Sequence, residues 1–316
     1  MVRKYVKFFP IIGLLLFVYI ISKIDLHAVA QNFLNIDLRF LALAFVLTIP
    51  SLLIKTLKWK QLVKPFNVEL PLKEAASAWI SGFFIGLVTP GRVGDLARAF
   101  YLKDKMKIGS ALTTVVIDRI LDIFVLMVLS VLGIFFIITN FAVDGKVIQM
   151  IFGAFVLFTI AAIVFFQKKY ASRLLKPLFN IFVPEKYKEK LKSSYQDFYG
   201  GISILKANKG AIAKAVILSV VAWTITFTNY FVLSLAIGLN VEYFFILMIM
   251  PIALLVEILP ISFSGIGTRD AAIILFFSFI GIDANSAVSL SLTILIFNYI
   301  YSLAGLAVWV KNPIKL

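Results

Sequence analysis

Not one of the 316 residues is a cysteine, which excludes disulfides, iron–sulfur clusters and thiol catalysis. Histidine is almost as scarce. The single one, His27, sits in a polar connection without cysteine partners, a poor metal site that also leaves no serine–histidine catalytic arrangement elsewhere. Charge is thin at 15% of residues, and acids are outnumbered, 16 Asp and Glu against 31 Lys and Arg. There is no P-loop G-x-x-x-x-G-K-[ST], so ATP hydrolysis is not expected. Also missing are a D-x-D pair of the kind that holds metal and nucleotide sugar, and any helix-turn-helix, RNP-like or zinc-finger pattern. The chain reads as a carrier without metal, cofactor or catalytic residues, and nucleic acid is not among its expected partners.

What is present is apolar. Hydrophobic residues make up 61% of the chain, 31 of them phenylalanine, where a soluble domain carries about 45–50%. Several runs approach or exceed the roughly 18–20 residues that cross a bilayer. This predicts an all-α polytopic membrane protein. The first run, Phe8–Ser22, follows Arg3, Lys4 and Lys7, but no small-x-small cleavage site comes after it, so it reads as a retained helix. The net charge of +15 then marks cytoplasmic loops and contacts with anionic headgroups.

Applied loop by loop, the positive-inside rule gives a topology. The basic N-terminus is cytoplasmic, and the near-neutral Lys23–Asp37, with DLHAVAQNFLNID readable as a short surface helix, is outside. A span over Leu38–Leu57 ends at Lys55, Lys58, Lys60 and Lys64, on the cytoplasmic side. Next, Ala75–Val88 is only about 14 residues, short for a crossing. A full crossing would also place Arg92, Arg98, Lys103, Lys105 and Lys107 outside. A re-entrant hairpin over 75–103, broken at Thr89-Pro90-Gly91, removes both conflicts. Broken backbone at membrane depth is tolerated only inside protein or against a water-filled cavity. Spans follow at Gly109–Ile138 and Val147–Phe166. The loop over 167–210 carries ten Lys and Arg against three acids between Lys168 and Lys209. Its pieces KYASRLLKPLFNIF and KYKEKLKSSYQDFYGGISIL suit either an anionic leaflet or a solvated linker.

Ala211–Ile237 runs outward and Ala284–Val310 must end inside, so Tyr243–Ile282 enters and leaves from the outer face as a second hairpin. The two breaks resemble each other, P-G-x-x-G-D-x-x-R and P-x-x-x-S-G-x-G-x-R-D. Six full spans and two oppositely inserted hairpins, arranged as halves over about 38–166 and 211–310 of one membrane domain, predict an inverted repeat with a site at its interface. Two conventional helix pairs with glycine kinks are the alternative.

Ionisable groups at membrane depth are costly and therefore mark candidate sites. Four clusters qualify. Arg92, Asp95 and Arg98 stand beside Thr89, Gly91 and Gly94, where glycines allow close approach and amides at the start of an Asp95–Lys103 helix would hold a phosphate. The arginine forks suit phosphate oxygens, although Arg98 reads equally as snorkelling to the surface. Asp118, Arg119 and Asp122 share a helix, the two acids roughly 14 and 20 Å along it from Gly109. Ion pairing with the hairpin arginines and a substrate role are both open for them. Glu257, alone in an apolar arm, pairs with Arg269 or Arg119, or binds a proton or a cationic headgroup. The second break supplies Ser262, Ser264, Gly265, Gly267, Arg269 and Asp270. Asn298, Tyr299 and Tyr301 on the last helix are weaker candidates.

At TPGRVGDLARAF, DRILDIF and LPISFSGIGTRDAAI the chain resembles the membrane region of the lysylphosphatidylglycerol synthase/flippase family, over essentially its whole length. The resemblance implies a flippase module that moves charged phospholipids between leaflets, with inverted repeats around a central cavity. In bifunctional members a soluble domain attaches the amino acid from aminoacyl-tRNA. Here the sequence stops at Leu316 after the last helix, so transferase activity is not expected and any lipid-modifying enzyme would be a separate partner. Asp95 and Asp270 stand where the family pattern leads one to expect glutamate, which shortens the reach toward a headgroup.

The expected function is thus a lipid translocase of the cell membrane, with both termini cytoplasmic. Its substrates would be anionic or aminoacylated phosphatidylglycerol or a polyprenyl phosphate, and homo-oligomerisation stays open. A transferase acting on polyprenyl-phosphate-linked substrates and a small-anion secondary transporter are the competing classes.

Overall fold

In the computed structural model of the chain, residues 9–141, 185–258 and 262–311 are described, together with 145, 146, 149, 153 and 156. The expected span Val147–Phe166 and the loop piece KYASRLLKPLFNIF fall largely or wholly outside them. Among the described residues the secondary structure is helical throughout, without a strand.

Helix α1 (Phe9–Ile21) and the short α2 (Leu26–Leu34) meet at 90°. The bend follows from Asp25, whose carboxylate accepts the His27 and Ala28 amides and so starts a new helix. Asp37 repeats the device for α3 (Leu38–Val63), accepting the Arg39 amide at 2.8 Å. Helix α4 (Leu72–Leu87) leads into a 3-10 segment, Pro90–Leu102, and then α5 (Ile108–Asn140). Helix α6 (Glu185–Ala207) precedes α7 (Lys209–Ala236), α8 (Tyr243–Ile258), α9 (Thr268–Ser278) and α10 (Ala284–Lys311).

Four of these elements are long and apolar enough to cross a membrane: α3 with the 3-10 turn after it, α5, α7 and α10. Counting the bent α1–α2 pair as one span makes five. Their outward surfaces are greasy: Leu43, Val46, Ile49 and Leu53 on α3, Val128, Val131 and Phe135 on α5, and Ile296, Ile300 and Leu303 on α10 are all exposed. Exposed apolar belts of that extent do not belong to a water-facing surface. The molecule is a multi-pass membrane protein.

Its order repeats. Helices α3 and α7 are each followed by a 16-residue helix (α4, α8), a break, a shorter segment and a long helix (α5, α10). The packing repeats with the halves exchanged. Helix α4 lies on α10, α8 lies on α5, and α3 runs along α7. Contacts as close as these need small residues. A Cβ on Gly305 would strike the Ile80 carbonyl of α4, and one on Gly133 the Met248 carbonyl of α8.

Each broken pair of arms opens toward a different end of α5. Glu74, at the start of α4, pairs with Lys105, just beyond the 3-10 segment, so the first mouth lies where α5 begins. Phe245 and Phe277, near the ends of α8 and α9 away from the break, meet edge to face at 5.4 Å. Phe279 stacks on Phe141, which caps α5, so the second mouth lies where α5 stops.

Candidate functional site

The first break is seated by small residues on α4. A Cβ on Gly82 would come within 3.0 Å of the Arg98 Cβ, and one on Gly86 within 2.7 Å of the Asp95 Cγ. Those two glycines therefore let the 3-10 segment press its charged face against the helix. Thr89 folds the corner. Its hydroxyl accepts the Gly94 amide at 2.8 Å and lies 3.0 Å from the Gly86 carbonyl. The α-helix expected from Asp95 to Lys103 is not formed. The run Pro90–Leu102 is a 3-10 helix, so no α-helical N-terminus with free amides starts at Asp95. Gly91 leads directly into Arg92, which sits at φ 55°. A left-handed conformation costs a non-glycine residue about 1–2 kcal/mol, and here it aims the Arg92 guanidinium at the other half of the molecule.

The second break runs through Ser262 to Gly267, with Ser264 at φ 48°, Gly265 at 76° and Gly267 at 83°. Gly267 is needed twice. It opens α9, its amide held by the Asp270 carboxylate at 2.8 Å, and a Cβ there would strike the Gly13 carbonyl of α1. Gly265 makes room for two side chains, since its Cβ would meet the Glu257 Cγ at 2.8 Å and the Arg269 Cβ at 2.9 Å. Ser262 bonds Thr268 at 2.8 Å, a local clamp that reaches no other candidate.

Around the breaks the ionisable groups form two neighbouring chains of pairs, one within the first half and one that crosses from Arg92 to the second. Asp118 accepts from Arg98 on one oxygen and lies 3.0 Å from the Lys58 ammonium on the other. Lys58 continues to Asp122 at 2.6 Å, where the Ser219 hydroxyl of α7 also donates at 2.5 Å. Arg119 reaches Asp95 at 3.0 Å and Asp122 at 3.9 Å. Across the halves, Arg92 meets Glu257 at 2.6 Å, and Glu257 holds Arg269 at 3.3 Å. Arg269 donates to the hydroxyl and the carbonyl of Ser291 at 2.9 and 3.0 Å and lies 3.7 Å from Asp270, to which Ser291 also donates. The breaks touch directly as well, through the Ser264 hydroxyl on the Leu87 carbonyl.

Asp95, Arg98, Asp118, Asp122, Glu257, Ser264, Arg269 and Asp270 are buried, and Arg92 and Arg119 are partly open. Arg98 does not snorkel. Its guanidinium lies over Trp59, 5.1 Å from the ring centre, and Asp118 neutralises it. Glu257 takes Arg269, one of the two partners its sequence allowed. Its second partner is Arg92, because Arg119 is occupied by acids of its own half.

Lys58 is the participant that sequence reasoning missed. Lysines near the end of an apolar run read as cytoplasmic anchors, yet α3 continues to Val63 and Lys58 is 1% exposed. The available signal was its helical spacing, one turn from the apolar Leu62 and two from Ser51, both buried. Ser219 and Ser291 gave none, since single hydroxyls are ordinary in apolar helices.

Such an arrangement carries the donor chemistry that an oxyanion would need. Guanidinium forks match phosphate geometry, and the Nε donors of Arg92 and Arg119 are buried without a partner among the described residues. Leaving a buried donor unmet costs about 1–3 kcal/mol each, a debt that an incoming acceptor cancels.

Several archaeal membrane proteins are similar in sequence. The UPF0104 membrane protein of Methanocaldococcus jannaschii is 28% identical over 305 residues, covering 92% of this chain and 89% of the relative. That of Pyrococcus horikoshii is 24% identical over 323 residues, with 96% of each chain covered. A UPF0104 membrane protein of Methanothermobacter thermautotrophicus is 22% identical over 264 residues, covering 78% of this chain and 77% of the relative. Residues 8–305 match the family model described as the lysylphosphatidylglycerol synthase TM region. With nearly the whole length matched, the chain belongs to the lysylphosphatidylglycerol synthase transmembrane-region family.

Proposed function

We propose that the protein is a translocase that carries phosphate-bearing lipids between leaflets and is not a transferase. In this reading six spans, one of them over Val147–Phe166, enclose two re-entrant hairpins inserted from opposite faces, and the halves form an inverted repeat. The observation that carries it is the Arg92–Glu257 pair, the charged link between two breaks whose mouths lie at opposite ends of α5. A site held between two such arms is reachable from either side when one half rocks against the other. Charges that rearrange as the halves part offer each conformation a different set of free guanidinium donors.

Lysines cluster at the first mouth (Lys73, Lys103, Lys105, Lys107), which the positive-inside rule puts in the cytoplasm with both termini. The cell membrane is the expected location. A lipid-modifying enzyme encoded separately and a homo-oligomer are both compatible with this reading. The arginines favour phosphatidylglycerol-type headgroups and polyprenyl phosphates alike.

The test is a leaflet assay with purified protein in liposomes carrying head-labelled lipid, followed by chemical destruction of the outer label. Protein-dependent loss of the protected half is expected for a phosphate lipid. Arg92→Ala is expected to slow that loss at least about tenfold, a barrier change of about 1.4 kcal/mol. Unchanged protection with every lipid tested, in correctly inserted protein, overturns the reading.

A further inference from the structure

Lys55, one turn before Lys58 on α3, has no carboxylate partner among the described residues. Its ammonium instead lies between two indoles, 5.6 Å from the centre of Trp79 and 5.8 Å from that of Trp223. Indole faces hold a cation in place but bring no charge to cancel it. Trp79 stacks on Phe83 at 5.5 Å, and Phe83 in turn lies 5.6 Å beneath the Arg92 guanidinium. Lys55 and Arg92 thus stand on neighbouring rings of one helix, at the edge of the same cluster.

Among the described residues that cluster holds six cations, Lys55, Lys58, Arg92, Arg98, Arg119 and Arg269, against five carboxylates, Asp95, Asp118, Asp122, Glu257 and Asp270. One positive charge is left over. It is also on the reachable side. Arg92 and Arg119 are 21% and 27% exposed and Lys55 is partly exposed, whereas four of the five acids are within 4% of full burial. Asp122 is the one acid with an appreciable opening, and Lys58 and Ser219 already occupy it.

We propose that this face selects a ligand carrying one net negative charge, the monoanionic phosphodiester, and that Lys55 in its indole sandwich sets the preference. The inference rests on the cluster being the lipid site of the preceding section, and it adds the headgroup class. A monoanion completes the charge balance. A cationic aminoacyl headgroup adds to the surplus, a zwitterion leaves it uncancelled, and a dianionic phosphomonoester overshoots it.

Tryptophan emission of the detergent-solubilised full chain, with Trp79 and Trp223 as reporters, reads binding without transport. Short-chain phosphatidylglycerol, phosphatidylcholine, lysyl-phosphatidylglycerol and phosphatidic acid supply net charges of about −1, 0, +1 and −2 at constant acyl chain. Phosphatidylglycerol is expected to bind tightest. Lys55→Met is expected to weaken it about 10- to 100-fold and to erase its margin over phosphatidylcholine, while Lys55→Arg keeps the order. Equal binding of all four lipids by the unmodified protein, or an unchanged ranking in Lys55→Met, overturns the proposal. If Lys55→Met does not fold, the unmodified ranking and Lys55→Arg decide it.

Dimethyl phosphate separates the two sources of the same chemistry. Displacement of phosphatidylglycerol assigns the site to soluble phosphodiesters and no displacement assigns it to lipid, and both leave the one-charge preference standing. Selective binding without leaflet exchange removes the translocase reading alone, whereas exchange without selectivity removes this one alone.

Discussion

Asp118→Asn is expected to cost about 3–5 kcal/mol of stability, the penalty for breaking a buried ion pair from one side. Asp118 is wholly buried and is the one carboxylate bonded to Arg98 among the described residues, and Arg98 is itself 1% exposed with its guanidinium against Trp59. Removing the charge leaves Arg98 without a counter-ion or a route to water. Lys58 is better placed, because Asp122 remains at 2.6 Å. A loss of that size is a large share of the roughly 5–15 kcal/mol that holds a typical domain folded. Thermal unfolding in lipid nanodiscs reads it. A double replacement, Arg98→Met with Asp118→Leu, removes both charges and is expected to recover most of the loss, since a buried pair exchanged for apolar groups is often neutral. A single-variant loss below about 1 kcal/mol would show that the cluster is solvated and its pairs weak.

Glu257→Gln is expected to do the opposite, leaving the fold largely intact and abolishing transport. Arg269 keeps Ser291, Asp270 and the Ser264 carbonyl, so the second break retains its internal bonds. Arg92 is partly exposed and tolerates losing its partner. What disappears is the charged link between the halves, one carboxylate holding an arginine from each. The expected fall in leaflet exchange is at least about 100-fold, or about 2.7 kcal/mol in the barrier, with a thermal shift much smaller than that of Asp118→Asn. Glu257→Asp keeps the charge with a shorter reach and should fall between. An exchange rate within about threefold of the unmodified protein would remove Glu257 from the mechanism.

Much of the site was legible because a membrane makes charge conspicuous. Arg92, Asp95, Arg98, Asp118, Arg119, Asp122, Glu257, Arg269 and Asp270 all interrupt apolar runs, and the cost of placing them there singles them out. The first break was legible from proline and glycine in a segment too short to cross, and the second from its proline, serine and glycine run and the sidedness of the flanking spans. Pairing was legible within each half, where Asp118 with a hairpin arginine and Glu257 with Arg269 were expected, but the Arg92–Glu257 contact was not, because it depends on how α8 packs against the other half and no local pattern encodes that. Lys58 stayed hidden for the reverse reason. At a helix end a lysine costs little in either place, so its identity could not tell an anchor from a buried counter-ion. The 3-10 form of Pro90–Leu102 was equally out of reach, since the groove at Gly82 and Gly86, on which it lies, belongs to another element.

The claim on which the account depends is that the two broken segments enter from opposite faces and meet at one ion cluster. The natural absence of cysteine makes the direct measurement simple, because a single introduced thiol is the only one present. Lys73→Cys places it at the first mouth and Ala284→Cys beside the second, both at exposed positions. Each variant is treated, in intact cells and in inverted vesicles, with a thiol reagent that does not cross membranes. The account predicts that Lys73→Cys reacts only in inverted vesicles and Ala284→Cys only in intact cells. Labelling of both from the same side would contradict it.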